Sequence, residues 1–157
     1  MSVIQKPLEA GAKVPNFQTT DESGCPVSRS NLIGKRYLLY FYPRDNTPGC
    51  TLEACGFRDL QDSFKQHDIA IFGVSGCPKI NHIKFREKFA IPFPLLMDED
   101  HAIAKSFGAF GEKKFMGKTF NGIHRMSFLV SETGTIIKSY PRVAPKTHPQ
   151  QILEDLK

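Results

Sequence analysis

The sequence predicts an α/β fold: a central mixed β-sheet flanked by helices, with an N-terminal β-hairpin extension. Three observations carry that expectation. Residues 37–42 and 69–74 are unbroken apolar runs. They lack the alternation of a half-exposed strand and read as strands buried on both faces. The stretch between them, residues 51–66, places Leu52, Cys55, Phe57, Leu60 and Phe64 at helical spacing. Near the C-terminus two strand-like runs, 126–130 and 135–140, meet at Ser131-Glu132-Thr133-Gly134, which reads as a hairpin turn.

The other elements follow from local signals. Residues 17–20 and Pro26-Val27 flank Glu22-Ser23-Gly24 and read as the N-terminal hairpin. Residues 30–33 make one helical turn, closed by Gly34. A helix is expected over 78–89, with Pro78 in its first turn and Ile80, Ile83 and Phe89 available for burial. Ile91-Pro92-Phe93-Pro94 cannot be helical and leads into Leu95-Leu96-Met97. Residues 101–107 form a short helix ended by Gly108, 111–122 a long polar loop, and Pro149 starts a last helix ending at Lys157. A β-α-β opening joined to a terminal β-β-α is the thioredoxin arrangement.

The 157 residues, 40% apolar and 24% charged, predict one globular domain spanning 1–157. No apolar run approaches the roughly 20 residues that span a bilayer. Residues 1–10 lack a basic region followed by an apolar stretch, so no secretory signal is expected. The expected compartment is the reducing cytoplasm, where four cysteines point to catalysis or metal binding before a disulfide framework. The net charge of +5 is spread along the chain and interleaved with acids. That is the pattern of a solvated surface rather than of a nucleic-acid site. No Gly-x-Gly-x-x-Gly, phosphate loop or haem attachment motif is present, so no cofactor is expected.

The most informative segment is residues 42–55, YPRDNTPGCTLEAC. A strand feeds a loop punctuated by Pro43, Pro48 and Gly49. The loop ends on Cys50, and a helix-forming stretch follows. Unpaired N–H groups and the positive end of the helix dipole both favour an anion there. A cysteine so placed tends towards the reactive thiolate. A second thiol, Cys55, lies five residues on.

At these residues the chain resembles the peroxiredoxins, thiol peroxidases of the thioredoxin superfamily, and most of all the bacterioferritin-comigratory-protein or PrxQ group. Pro43, Thr47 and Cys50 match the Pro-x-x-x-Thr-x-x-Cys motif of that family. Gly111-Glu112-Lys113-Lys114 and residues 122–130 are also typical, and Arg125 falls on the active-site arginine of the family. Phe110, Asn121 and Met126-Ser127 depart from the usual residues, and Cys25 and Cys77 are extra.

The resemblance implies that Cys50 attacks a peroxide and becomes a sulfenic acid. Arg125 supplies charge and paired donors, Thr47 a hydroxyl, and Pro43 shields the thiolate. Backbone N–H groups at Gly49 and Cys50 are further donors. Glu53 orients Arg125 or a proton. Cys55 is the candidate resolving thiol, giving an intramolecular disulfide that needs no second subunit, so a monomer is expected. Thioredoxin is the implied reductant, and hydrogen peroxide and organic hydroperoxides are both admitted. An α-helix holds residues five apart at a Cα separation of roughly 8.6 Å. A disulfide needs about 4.4–6.8 Å. Closing the bond therefore requires this helix to unwind, with Gly49 and Gly56 bracketing the segment.

Each residue also has a plainer reading. Cys50 reads as a buried structural thiol, Arg125 as a surface ion-pair residue, and Thr47 as a helix or turn cap. Pro43 reads as a strand stop, Glu53 as a first-turn acid, Cys55 as a small apolar residue on a buried face, and Gly56 as a packing contact. Cys25 and Cys77 read as incidental thiols, with a backup resolving role open to Cys77, whose place before a helix suggests a lowered pKa. Among rival functions, a disulfide oxidoreductase would need Cys-x-x-Cys, which is absent. A metal module using Cys50, Cys55, His67 and His82 matches no common zinc spacing. A redox-sensitive chaperone or signalling switch is compatible with the same cysteines.

Overall fold

The computed structural model describes residues 6–156. In chain order its elements are β1 (Gln18–Thr20), β2 (Pro26–Ser28), α1 (Arg29–Leu32), β3 (Arg36–Phe41), α2 (Pro48–Asp59), α3 (Gln61–Gln66), β4 (Ile69–Ser75), α4 (Lys79–Lys88), β5 (Leu95–Met97), α5 (Ala102–Phe107), β6 (Phe110–Phe115), β7 (Lys118–Ile123), β8 (Met126–Val130), β9 (Ile136–Tyr140) and α6 (His148–Asp155). The central sheet has the order β5-β4-β3-β8-β9. β3 runs parallel to β4, and β4 to β5, while β8 runs antiparallel to β3 and to β9. The sheet is therefore mixed, and the fold is thioredoxin-like, as the element order indicated.

The period-2 geometry of β3 divides the core in two. Tyr37, Leu39 and Phe41 face one cluster, which takes Ile103, Ala104 and Phe107 from α5, Leu32 from α1, and Phe128 and Val130 from β8. Leu38 and Tyr40, with Tyr42 just beyond, face the other, which takes Ala54 and Phe57 from α2, Phe64 from α3, Phe85 from α4 and Ile152 from α6. Each large side chain taken out of water in this way contributes about 1.5–3 kcal/mol. Phe57 is a hub, its ring centroid 4.7 Å from Tyr40, 5.8 Å from Phe64 and 6.4 Å from Phe93.

Several elements differ from expectation. The helix expected over 51–66 is two helices, broken at Leu60, where φ −104° and ψ 8° end the α conformation. The N–H of Leu60 bonds back to the Gly56 and Phe57 carbonyls, both at 3.2 Å. Phe57 and Phe64, seven residues apart and so on one helical face, meet in the core across the break. The first of these helices starts at Pro48, not after Cys50. Pro48 occupies a first-turn position, where its missing N–H is harmless, so Cys50 is the third helical residue.

The expected loop 111–122 is a β-hairpin, with Phe115 paired to Lys118 across a two-residue turn. Met116 (φ 50°) and Gly117 (φ 76°) both adopt the left-handed region that such tight hairpin turns require. Its strands are largely solvent-facing, so no apolar alternation marked them. The last helix begins one residue early, at His148, and Lys157 lies outside the described residues. The N-terminal hairpin pairs as expected, Thr19 opposite Val27. Among the described residues, no helix is long and apolar enough to cross a membrane.

Candidate active site

The site forms where β3 hands over to α2. The strand end delivers Pro43 to a short loop. That loop delivers Thr47 to the N-cap position and Cys50 to the first turn of α2. The first intrahelical bond runs from Thr51 N–H to Thr47 O, at 2.8 Å. The N–H groups of Gly49 and Cys50, ahead of it, have no carbonyl four residues back within the helix and are available to an anion. Cys50 is 1% exposed and Cys55 is half-buried, and both are free thiols.

Arg125 reaches the site from the loop between β7 and β8. Its Nη2 donates to Cys50 Sγ at 3.3 Å and its Nη1 to Glu53 Oε1 at 2.8 Å. The guanidinium thus ties together two residues of one helical turn from 72 to 75 positions away in sequence. Burial opposes its charge, but Glu53 and Cys50 outweigh burial and raise its pKa. Gly49 makes the approach possible: a Cβ there would lie 3.2 Å from Arg125 Nη2 and 3.6 Å from Pro145 Cγ.

Glu53 is fully buried, and burial lifts its carboxyl to about 7 against the opposing pull of Arg125. Its second oxygen, Oε2, is buried without a hydrogen-bond partner. Glu53 is therefore not a surface acid complementing a dipole; it is the buried partner of Arg125. The Thr47 hydroxyl makes no capping bond. It donates instead to Arg44 O at 3.1 Å, so it closes the turn before the helix rather than capping the helix itself.

Cys55 lies in the same unbroken helix as Cys50, so the helical separation of roughly 8.6 Å applies to this state. Gly56 proves to be a packing contact. A Cβ there would come within 2.9 Å of Pro149 Cγ at the start of α6. His148, beside Pro149, is buried and stacks edge-on against Phe57 at 6.0 Å. The first turn of α6 thereby grips the second half of α2.

The outlying cysteines stand apart from this cluster. Cys25 is exposed in the N-terminal hairpin turn. Cys77 is buried, and its thiol is pushed up by burial, the reverse of the expectation drawn from its place before a helix. Pro78 intervenes as N-cap of α4, so Cys77 does not lie in the helix turn. His82 has both ring nitrogens at hydrogen-bond distance from protein oxygens, which removes it from any ligand set with Cys50.

Sequence reasoning gave no role to Lys113. Its Nζ donates to Ile123 O at 2.8 Å, and burial first, then repulsion from Arg125, lowers its pKa while Cys50 opposes that change. A second cation therefore shares the electrostatic environment of Cys50. The signal was present only in the Gly-Glu-Lys-Lys segment, because the hairpin that brings it close was not legible.

Comparison with known proteins shows the family. Residues 10–139 match the AhpC/TSA family. The chain is 42% identical over 151 residues to peroxiredoxin Bcp of Escherichia coli K12, covering 96% of this chain and 97% of that one. It is 43% identical over 150 residues to peroxiredoxin Bcp of Bacillus subtilis, covering 96% of each. The solved structure of the bacterioferritin comigratory protein of Xanthomonas campestris superposes with a TM-score of 0.85 at 30% identity, covering 97% of this chain and 96% of that one. The chain belongs to the AhpC/TSA family and is a thiol peroxidase of the peroxiredoxin Bcp and PrxQ group.

Proposed function

We propose that Cys50 is the peroxide-reducing thiol of this enzyme and Cys55 the thiol that resolves it. The observation that carries the first assignment is the Arg125 bridge: one guanidinium donates to the Cys50 sulfur and to a buried carboxylate. A fixed cation with paired donors stabilises the thiolate and then the oxygen that leaves it. In the first step the Cys50 thiolate attacks one peroxide oxygen and the O–O bond breaks. Sulfur becomes a sulfenic acid, and the leaving oxygen takes a proton to depart as water or alcohol. The free N–H groups of the first turn are donors for the developing charge, the Thr47 hydroxyl, its proton on Arg44 O, is an acceptor for the peroxide O–H, and Pro43 limits water at the sulfur.

In the second step the Cys55 thiol attacks the sulfenic sulfur, releasing water and closing a Cys50–Cys55 disulfide. A dithiol reductant of the thioredoxin type then returns both thiols by exchange. Organic hydroperoxides belong among the substrates alongside hydrogen peroxide. That reading draws support from the Xanthomonas campestris relative, whose structure is described in terms of alkyl peroxide reduction.

The test is thiol counting after one equivalent of peroxide, with mass analysis of the product. Wild type is expected to lose two thiols and to yield a Cys50–Cys55 crosslinked peptide. Cys55→Ser is expected to lose one thiol, gain one oxygen at Cys50, and overoxidise as peroxide is raised. A Cys50–Cys77 crosslink in wild type would instead assign resolution to Cys77.

A further inference from the structure

We propose that Asp45 and His82 are positioning residues for peroxide reduction, a buried pair that fixes the loop from Pro43 to Thr47 over the Cys50 sulfur. The inference rests on the assignment of Cys50 as the reacting thiol. Asp45 lies between Pro43 and Thr47, yet its carboxylate points inward and is almost wholly buried. Oδ2 meets His82 Nδ1 at 2.5 Å, and Oδ1 accepts the Tyr42 hydroxyl at 2.6 Å. The Asp45 N–H donates to Cys77 Sγ at 3.3 Å. His82, fully buried on α4, places Nε2 3.0 Å from the Leu96 carbonyl of β5. Asp45 and His82 together therefore join the residue after β3, the loop, the segment before α4, α4 itself and β5.

The cluster is closed with respect to protons. Leu96 O accepts only if Nε2 carries hydrogen, and a second proton then lies between Nδ1 and Oδ2. Such a pair is expensive to bury and rigid once satisfied. Its position in the chain shows what it holds. On one side Asp45 follows Pro43 and Arg44. On the other, Asn46 takes a left-handed turn (φ 61°), and the Thr47 hydroxyl closes back onto Arg44 O at 3.1 Å. Pinning Asp45 into the core thus sets where Pro43 and Thr47 stand relative to the first turn of α2. Neither Asp45 nor His82 touches Cys50 or Arg125 in any of these contacts. They act through the loop. Arg125, by contrast, is held by Glu53. The two arms of the pocket are anchored separately.

This separation yields a distinguishing experiment. Two rates are measured on Cys50 at the same pH: oxidation by hydrogen peroxide, which needs the loop, and alkylation by iodoacetamide, which reports thiolate reactivity alone. Asp45→Ala and His82→Ala are expected to lower the peroxide rate by about 30–100-fold, the scale of a misplacement near 1 Å. Alkylation should change by less than about threefold, because Arg125 and the helix turn remain. Asp45→Asn preserves shape and can bond Tyr42 and a neutral His82, so it is expected to recover most of the peroxide rate. Should the alanine variants fail to fold, Tyr42→Phe, which removes only the bond to Oδ1, carries the test, with a peroxide rate about fivefold lower expected. Peroxide rates within threefold of wild type in the folded alanine variants, an unchanged rate in Tyr42→Phe where those variants do not fold, or equal losses in both reactions would overturn the proposal. A wild-type Cys50 that itself reacts slowly with peroxide would overturn the underlying assignment instead.

Discussion

Cys50→Ser is expected to abolish peroxide reduction, lowering kcat/KM on the order of 10⁴-fold or more, the scale on which nucleophile removal acts elsewhere. A serine hydroxyl is a far weaker nucleophile than a thiolate, and its oxygen cannot take up the peroxide oxygen as a sulfenic acid that a thiol later reduces. The substitution changes little else. The side chain is buried, nearly isosteric, and sits in the first turn of a helix whose packing depends on Ala54 and Phe57. A peroxide-consumption assay with thiol reductant in excess, run beside circular dichroism, separates chemistry from folding. Retained activity in a folded Cys50→Ser protein would move the reacting thiol elsewhere.

The second large effect concerns Arg125. Arg125→Gln removes the donor to Cys50 Sγ and the partner of Glu53 in one change. Loss of a single preorganised donor at a developing anion lowers rates by about 10²–10³-fold, or about 3–4 kcal/mol. The peroxide rate of Cys50, measured in single turnover, should fall by that factor. The same variant leaves the Glu53 carboxyl buried without its cation, and its pKa, already about 7 rather than the ordinary 4.5, should rise further. Folding stability then follows from proton linkage. A carboxyl raised in the folded state binds more protons there than in the unfolded chain. Its contribution is fully present below about 4.5 and lost as pH rises through the folded value. Urea unfolding of Arg125→Gln should therefore show greater stability at pH 5 than at pH 8, with a steeper loss than wild type. Equal stability at both values would mean that the carboxylate finds another cation.

The fold and the site were unequally legible from the chain. Residues 37–42 and 69–74 are legible as central strands because they carry no charged residue and, Ala70 apart, are buried on both faces. The β6–β7 hairpin was hidden for the opposite reason. Both its faces are largely solvated, and its turn is Met-Gly rather than a pair that favours positive φ by itself. The break at Leu60 has no local signal, since Phe57 and Phe64 keep the spacing of one continuous helix face and pack together across it. At the site, Cys50, Thr47 and Pro43 share one short segment and were readable together. Glu53 and Arg125 are 72 positions apart, and the fold brings them to 2.8 Å. Asp45 and His82 are 37 positions apart, and nothing in either neighbourhood marks them as partners.

The structure also narrows how the helix between the two cysteines behaves. In the proposed scheme Cys50 reacts from a formed first turn, beside which the Arg125 guanidinium stands. Cys55 reaches Cys50 only when that turn is lost, because helical spacing holds them too far apart. Gly56 was a candidate hinge by composition. Its contact with Pro149, and the packing of Phe57 on His148, make it the point at which α6 grips α2. Unwinding should accordingly run from Pro48 through Cys55 and stop there, leaving Phe57 in the core. It would dismantle the bridge to Arg125 and present the disulfide to a reductant.

Amide hydrogen exchange of the reduced and the disulfide forms, read residue by residue along α2, tests this two-state account most directly. The expected result is strong loss of protection from Thr51 to Asp59 on oxidation, because the amides of residues 56–59 bond to carbonyls of the unwound residues 52–55, with protection of Leu60 and Phe64, whose acceptors lie beyond Cys55, retained. Equal protection of residues 51–55 in the two forms, with the Cys50–Cys55 bond verified in the oxidised sample, would contradict it.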